Sequence, residues 1–287
     1  VRPDGGAREA PALDAGPGPL SARSAEALAR LREALSAAGS LVVGYSGGAD
    51  STLLAKAAFD ALGPRVLAVT AVSPSLPRAE LLEASAVAAE IGVRHLLVAS
   101  REMEDEGYVE NSPRRCFFCK AELFRILKSE AGKEGIAAIA YGAITDDLGD
   151  FRPGMEAARE AGAVAPLLEA GIGKPEVREI SRYYGLRTWN KPASACLSSR
   201  IPFGTRIEAA TLARIEAAEA ALHAEGVREV RVRDHGEVAR IECAPEEFGR
   251  LLEPGRRARL LDALRAAGYR FVALDLAGYR TGSLNPR

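Results

Sequence analysis

The stretch SGGADS, residues 46–51, decides how this chain is read. An apolar run at 41–45 (LVVGY) precedes it and reads as a buried strand, while 52–62 follows with helical spacing. The six residues therefore form a strand-to-helix turn. Gly47 and Gly48 let the main chain come close to a phosphate, and the free N–H groups and positive dipole end of the helix offset the phosphate's charge. Ser46 and Ser51 add hydroxyl donors. The stretch lacks the lysine of the GxxxxGK(S/T) nucleotide loop, so it is a phosphate loop of another kind. The plain alternative is a Gly-rich turn capped by serine.

Working outward, the alternation of elements gives the fold class. Strands are expected at 41–45, 66–72, 95–99 and 137–142, with helices at 52–62 and 78–91 and a long helical stretch ending at 131. That βαβ series predicts an α/β protein with a doubly wound parallel sheet. A helix over 24–35 is expected to cover one edge of it. In such sheets ligands bind beyond the carboxyl ends of the strands, where 46–51, 73–76 and 143–150 all fall. From about residue 207 the order changes to a helix ending at 225, two short strands around Arg231 and Ile241, a helix to 267 and a strand at 271–276. This reads as a second, smaller α+β domain, giving a nucleotide domain at 24–204 and a small domain at 205–287. Residues 1–23 are set apart as an extension, since the first twenty are rich in Pro, Gly and Ala without a periodic apolar face and read as disordered.

Composition narrows the classes. With 287 residues, 47% of them hydrophobic, the chain can bury a sizeable core. A formal net charge of −1 gives no support to a broad nucleic-acid-binding face. No apolar run is long enough to cross a bilayer and the first residues lack a signal-peptide segment, so a cytoplasmic protein is expected. Four cysteines in such a chain point to metal or catalytic chemistry before structural disulfides.

Several residues could carry that chemistry. Asp146 and Asp147, with Asp150 and Arg152 just beyond, follow a buried strand at its ligand-binding end. Paired carboxylates there suit Mg²⁺ on nucleotide phosphates, or else cap the next helix. Cys116 and Cys119 in PRRCFFCK share a face if helical, and could share a metal, form a redox pair or fill core space. Arg115 and Lys120 beside them would lower the thiol pKa if close in space. Cys196 lies in KPASACLSSR between Lys191 and Arg200, a small-residue electropositive loop in which a thiolate is expected to be stabilised and accessible. Cys243 reads as core, and His95, His223 and His235 show no metal-ligand spacing. Arg231 and Arg233 leave one face of a strand, with Glu242 on the partner strand of a hairpin. Two guanidinium groups so placed suit a phosphate or carboxylates, or form a charged outer sheet face paired with Glu242.

The SGGxDS pattern on a strand-loop-helix resembles the PP-loop of ATP pyrophosphatases, which cleave ATP between its α and β phosphates. Taken with SPSLPRAEL, PRRCFFCKAELF, DDLGDFRPG, APLLEAGIGKPEVREISRYYGL, WNKPASACLSSRIPFG and RVRDHGEVARIE, the chain from about residue 24 to its end resembles the LarE family of ATP-dependent sulfur transferases. The family works in assembling a nickel-pincer nucleotide from a pyridinium mononucleotide that carries two carboxylates. The resemblance implies ATP contacts at Ser46, Gly47, Gly48, Asp50, Ser51, Gly142 and Asp146, and Mg²⁺ at Asp146 and Asp147. It implies substrate contacts at Arg231, Arg233, Glu219, Glu242, Lys120 and Arg200. Cys196 takes the place of the family's sulfur-donating cysteine. In the implied reaction a substrate carboxylate attacks the α-phosphate of ATP, the thiolate of Cys196 displaces AMP to give a thioester, and loss of the Cys196 α-proton breaks its Cβ–S bond. A thiocarboxylate leaves and dehydroalanine stays in the chain. Some members instead pair a CxxC with the later cysteine, which implies a 4Fe–4S cluster on Cys116, Cys119 and Cys196 with an open iron that carries sulfide. A homo-oligomer, up to a hexamer, is also implied, with no nucleic-acid or membrane partner. One departure stands at 143–145, where Ala, Ile and Thr replace a Thr-Asn-Ala type segment. A PP-loop tRNA thiolase and a nucleotide-binding module without turnover are the rival readings.

Overall fold

The computed structural model describes residues 18–149, 153–192 and 194–280. Its first sheet is parallel, in the order β3-β2-β1-β4, built from β1 (Leu41–Gly44), β2 (Val66–Val72), β3 (Arg94–Ala99) and β4 (Ala138–Ala140). A single parallel bridge from Ala140 to Val164 carries it one step further. β1 and β2 are apolar on both faces because helices cover both, the pattern of a parallel sheet. On one face Val43, Val66 and Ala68 pack with α1 (Ala22–Ala38), α2 (Ala49–Leu62), α3 (Arg78–Ile91), α7 (Pro166–Glu169) and α8 (Lys174–Tyr183). On the other, Val42, Leu67 and Val69 meet α5 (Arg115–Glu134) and α6 (Pro153–Glu160). The doubly wound α/β expectation is met. The expected edge position of the first helix is not: its Leu28, Leu31 and Leu35 bury themselves over α2 and α8, where they find a larger apolar surface.

The single long helical stretch expected before residue 131 is also divided. A turn at Glu102–Glu104 and the short α4 (Glu106–Val109) come before α5. Asn111, buried at φ +56°, and Pro113 interrupt the helix, since neither continues α geometry without cost.

The second sheet has β5 (Val230–His235) antiparallel to β6 (Val238–Cys243), and β6 parallel to β7 (Phe271–Leu274). Val230, Val232, Ile241 and Cys243 face α9 (Ala209–Ala224), α10 (Phe248–Leu251) and α11 (Pro254–Ala266). A fourth apolar cluster, of Tyr108, Val109, Leu197, Ile201, Ile207, Leu212 and Ile215, fastens the chain between the sheets to α4 and α9. Leu197, the neighbour of Cys196, is part of it.

Candidate functional site

The chain leaves β1 towards β2 and β3 on one side and returns to β4 on the other, so the switch point lies between β1 and β4. The loops after these two strands meet there. Gly48 precedes α2 in an extended conformation with no side-chain cap, which leaves the amides of the first turn to an incoming anion. Gly47 takes φ +71°, and a Cβ on it would lie 2.5 Å from that of Ala84. Gly142 lies against the same helix start, where a Cβ would come within 3.1 Å of the Ser51 nitrogen. The two expected hydroxyl donors bond each other, Ser46 Oγ to Ser51 Oγ at 3.1 Å, and Ser51 Oγ also accepts from the Ser46 N–H at 3.2 Å. They shape the turn.

The acidic pair after β4 is divided. Asp147 Oδ2 accepts from the Ile144 N–H at 3.0 Å, closing its own turn. Asp146 Oδ2 accepts from the Lys174 N–H at 2.9 Å at the start of α8, while the Lys174 ammonium reaches Asp50 at 2.9 and 3.1 Å. The structure thus brings Asp146 to Asp50 through Lys174, a pairing that the sequence reading of Asp146 with Asp147 did not contain. Ile144 is 4% exposed and belongs to the core, and its N–H and carbonyl are both bonded to Asp147, so this departure position turns its side chain inward. Asp150 and Arg152 lie outside the described residues.

A second group forms beyond β2 and β3. Leu197 donates its N–H to the Ser75 carbonyl at 2.8 Å, which seats the Cys196 loop on the segment after β2. Ser73 Oγ and Ser75 Oγ donate to Glu102 Oε1 at 2.6 and 2.7 Å. Cys196 and Glu102 both act electrostatically on the Tyr108 hydroxyl and the Cys119 thiol, so these four side chains form one cluster. Burial, then the Glu102 charge, pushes the Cys119 thiol well up. Lys120 opposes the shift and is outweighed. Arg115 does not help: its buried guanidinium is occupied by Asn111 Oδ1 at 2.5 Å and the Ser198 carbonyl at 2.9 Å. The expectation that Arg115 and Lys120 lower the pKa of the CxxC thiols is therefore corrected for Cys119.

Of the two cations expected around Cys196, Arg200 stays at the loop, its Nη1 donating to the Cys196 carbonyl at 3.0 Å, and Lys191 does not. Lys191 reaches away, to Glu80 and Glu83 at 2.7 Å each and to the Gly47 carbonyl at 3.3 Å. Arg200, 3% exposed, is clamped to both oxygens of Glu219 at 2.9 Å. Both side chains are long enough to find partners on neighbouring elements. Lys191 instead links the Cys196 loop to the phosphate loop.

The arginines and glutamates assigned to substrate form buried pairs. Arg233 donates to Glu242 Oε2 at 2.7 and 2.9 Å and to the Ser199 carbonyl at 3.0 Å, and Glu242 is 0% exposed. Glu219 also accepts from the Val232 N–H at 2.9 Å. These contacts fix the Cys196 loop to the second sheet. Arg231 is less enclosed, stacked 5.0 Å from the Tyr279 ring with Nη1 donating to the Val230 carbonyl. Removing one partner of such a buried pair leaves an uncompensated charge. Glu219→Ala is therefore expected to destabilise the fold by roughly 3–5 kcal/mol, read as a lower urea midpoint; a loss under about 1 kcal/mol would contradict the clamp.

Among the described residues no three His, Cys, Asp or Glu side chains are grouped to hold a metal ion. The charge of Cys196 acts on the Cys119 thiol, while Cys116 is exposed and Cys243 is buried in the second core, its thiol pushed up to about 11 by burial. Asp50 and Asp146 fit a magnesium bound mainly through nucleotide phosphates, which needs only one or two protein carboxylates. No described helix is long and apolar enough to cross a membrane.

Comparison with known proteins agrees with this geometry. The NAD synthase family model matches residues 25–106, the span that carries the phosphate loop. The pyridinium-3,5-bisthiocarboxylic acid mononucleotide synthase of Lactiplantibacillus plantarum is 37% identical over 85% of this chain and 88% of its own length. The chain belongs to the LarE family. An uncharacterised Synechocystis protein is 45% identical over 85% of the chain and 91% of its own length, and one from Methanocaldococcus jannaschii is 26% identical over 84% and 91%. As a LarE-family chain it contains features that its motifs alone did not disclose. Glu102 and Tyr108 share a cluster with Cys196, and Lys174 and Lys191 make contacts with Asp50 and the Gly47 carbonyl. Glu102 follows the carboxyl end of β3, and that position was the available signal.

Proposed function

We propose that this chain is an ATP-dependent sulfur transferase that adenylates a carboxylate of pyridinium-3,5-biscarboxylic acid mononucleotide and converts it to a thiocarboxylate with the sulfur of Cys196. The observation that carries the reading is the bridge between the two loops: Lys191, five residues before Cys196, rests on the Gly47 carbonyl of the phosphate loop. That contact supports a reading in which a nucleotide on the phosphate loop and the thiol act together.

In this reading the amides after Gly48 and the hydroxyls of Ser46 and Ser51 cradle the phosphates, with Gly142 leaving room for them. Lys174 and Lys191 exchange their carboxylate partners for phosphate oxygens, which places positive charge where pyrophosphate leaves. Asp50 and Asp146 hold the magnesium, whose part is to neutralise phosphate charge. Arg231, the more open of the strand arginines, takes an anionic group of the substrate, while Arg200, Arg233, Glu219 and Glu242 hold the sulfur loop in register. Lys120, on α5 one residue beyond Cys119, is assigned to the substrate from the same side. The homo-oligomer and a cytoplasmic setting belong to the proposal.

The CxxC spacing of Cys116 and Cys119, with the charge of Cys196 acting on the Cys119 thiol, supports a second reading, in which the three thiols hold an iron–sulfur cluster that supplies the sulfide. Iron and sulfide analysis after anaerobic reconstitution separates the two. The function itself is tested by pyrophosphate release. It is expected from ATP only when the dicarboxylate mononucleotide is present, and release that is independent of it, or absent with it, would overturn the proposal.

A further inference from the structure

The carbonyl oxygen of Cys196 accepts three hydrogen bonds. The Ser199 hydroxyl donates at 2.8 Å, the Ser199 N–H at 3.0 Å and Arg200 Nη1 at 3.0 Å. A carbonyl has two lone pairs, and most loop carbonyls are satisfied by one neutral partner or by water. Here a buried cation is one of the donors. It is fixed from behind by its two-pronged contact with Glu219, and its Nη1 also reaches the Ala195 carbonyl at 2.7 Å. The surrounding backbone is held as firmly. Leu197 is bonded to Ser75, Ser198 to Tyr108 at 2.6 Å, and the Ser199 carbonyl to Arg233. The Ser199 N–H bond belongs to the turn that starts at Cys196, while the Ser199 hydroxyl and the Arg200 guanidinium are side-chain donors added to it.

We propose that Ser199 and Arg200 form an oxyanion pocket for the main-chain carbonyl of Cys196, which makes the α-hydrogen of that cysteine removable once its sulfur has been acylated. The inference rests on the sulfur-transfer reading and concerns the step after the thioester. When the Cα–H bond breaks, negative charge moves onto the Cys196 carbonyl oxygen, where donors already positioned at that atom stabilise it without reorganisation. The electron pair then forms the Cα=Cβ bond, the Cβ–S bond breaks, and sulfur leaves with its electrons as the thiocarboxylate. No oxidant or reductant is consumed. The proton passes to Glu102, a carboxylate 4% exposed whose hydrogen-bond donors, apart from the Cys119 thiol, are the hydroxyls of Ser73 and Ser75. Ser75 connects it to the site, because the carbonyl of the same residue holds the amide immediately after Cys196.

Ser199 is half-buried and its hydroxyl can be removed without opening a cavity in either core, so Ser199→Ala is the direct test. The full chain is mixed with ATP and the dicarboxylate mononucleotide in a single turnover, with pyrophosphate and intact protein mass followed together. The unsubstituted chain is expected to pass through an acyl adduct to a chain lighter by one H₂S. Ser199→Ala is expected to release pyrophosphate and accumulate the adduct, with the lighter chain forming about 10²-fold more slowly. Glu102→Gln, on a different segment, is expected to stall at the same adduct and covers the case in which Ser199→Ala fails to fold. Formation of the lighter chain at the unsubstituted rate in the variants overturns the inference. An unsubstituted chain that delivers sulfur repeatedly with unchanged mass also overturns it, yet leaves the sulfur transferase standing. Absence of pyrophosphate release from the unsubstituted chain removes the reading beneath it.

Discussion

Cys196→Ala is expected to fold, bind ATP and release pyrophosphate but to deliver no sulfur. The thiol is not what holds its loop. The loop is fixed by main-chain contacts from Ser75 and Arg233 and by the Arg200–Glu219 clamp, none of which uses the Cys196 side chain. Removing Sγ therefore leaves the geometry intact and removes only the nucleophile. In the proposed reading adenylation depends on the phosphate loop with Lys174 and Lys191, whose contacts to Asp50 and Gly47 do not use the Cys196 side chain. Product formation is expected to fall by at least about 10³-fold, the scale seen when a covalent nucleophile is lost. Mass spectrometry of the small-molecule product, alongside a coupled pyrophosphate assay, checks this. Thiocarboxylate formed by Cys196→Ala at the ordinary rate would rule out a sulfur role for this residue.

Gly47→Ala should damage both fold and activity. Two costs add there. The residue sits at φ +71°, where an L side chain is disfavoured by about 1–2 kcal/mol. Its Cβ would also lie 2.5 Å from the Cβ and 2.8 Å from the Cα of Ala84, so α3 or the loop has to move, at a further 1–3 kcal/mol or so. Displacing the loop by even about an ångström misaligns its amides with the α-phosphate, for which a rate loss of roughly 10²-fold or more is expected. Gly135→Ala is the control, because Gly135 is left-handed at φ +63° with nothing within 4 Å of the added Cβ and so carries only the backbone cost. Urea midpoints of both variants and pyrophosphate release by Gly47→Ala make the comparison. Equal midpoints with near-normal release would show that the close approach to Ala84 has no role.

Much of the first sheet was legible because its signals are local. Buried parallel strands are short apolar runs, and α3 is bounded as its sequence announces, by Pro77 before it and the left-handed Gly92 after it. The hairpin of β5 and β6 and the burial of Cys243 were legible for the same reason. The division of the helical stretch before residue 131 was not, since it turns on one buried asparagine whose amide satisfies the carbonyls of Pro202 and Thr205 some ninety residues away. Side-chain partners at such separations leave no periodic trace. The charge setting of Cys196 was legible in part, since Arg200 stays at the loop while Lys191 reaches carboxylates on another element. Glu102 and Tyr108 were missed because only the folded chain brings them to the sulfur.

The central claim is that a nucleotide bound at residues 46–51 activates a carboxylate that the sulfur of Cys196 then intercepts. Protein produced with heavy-sulfur cysteine, washed free of small thiols and given ATP and the dicarboxylate mononucleotide, tests it most directly through the isotope in the product. Heavy sulfur in the thiocarboxylate, matched by an equal yield of chains that carry dehydroalanine at position 196, is the expected result. A thiocarboxylate whose sulfur comes from added sulfide, with Cys196 unchanged in every chain, would contradict the account.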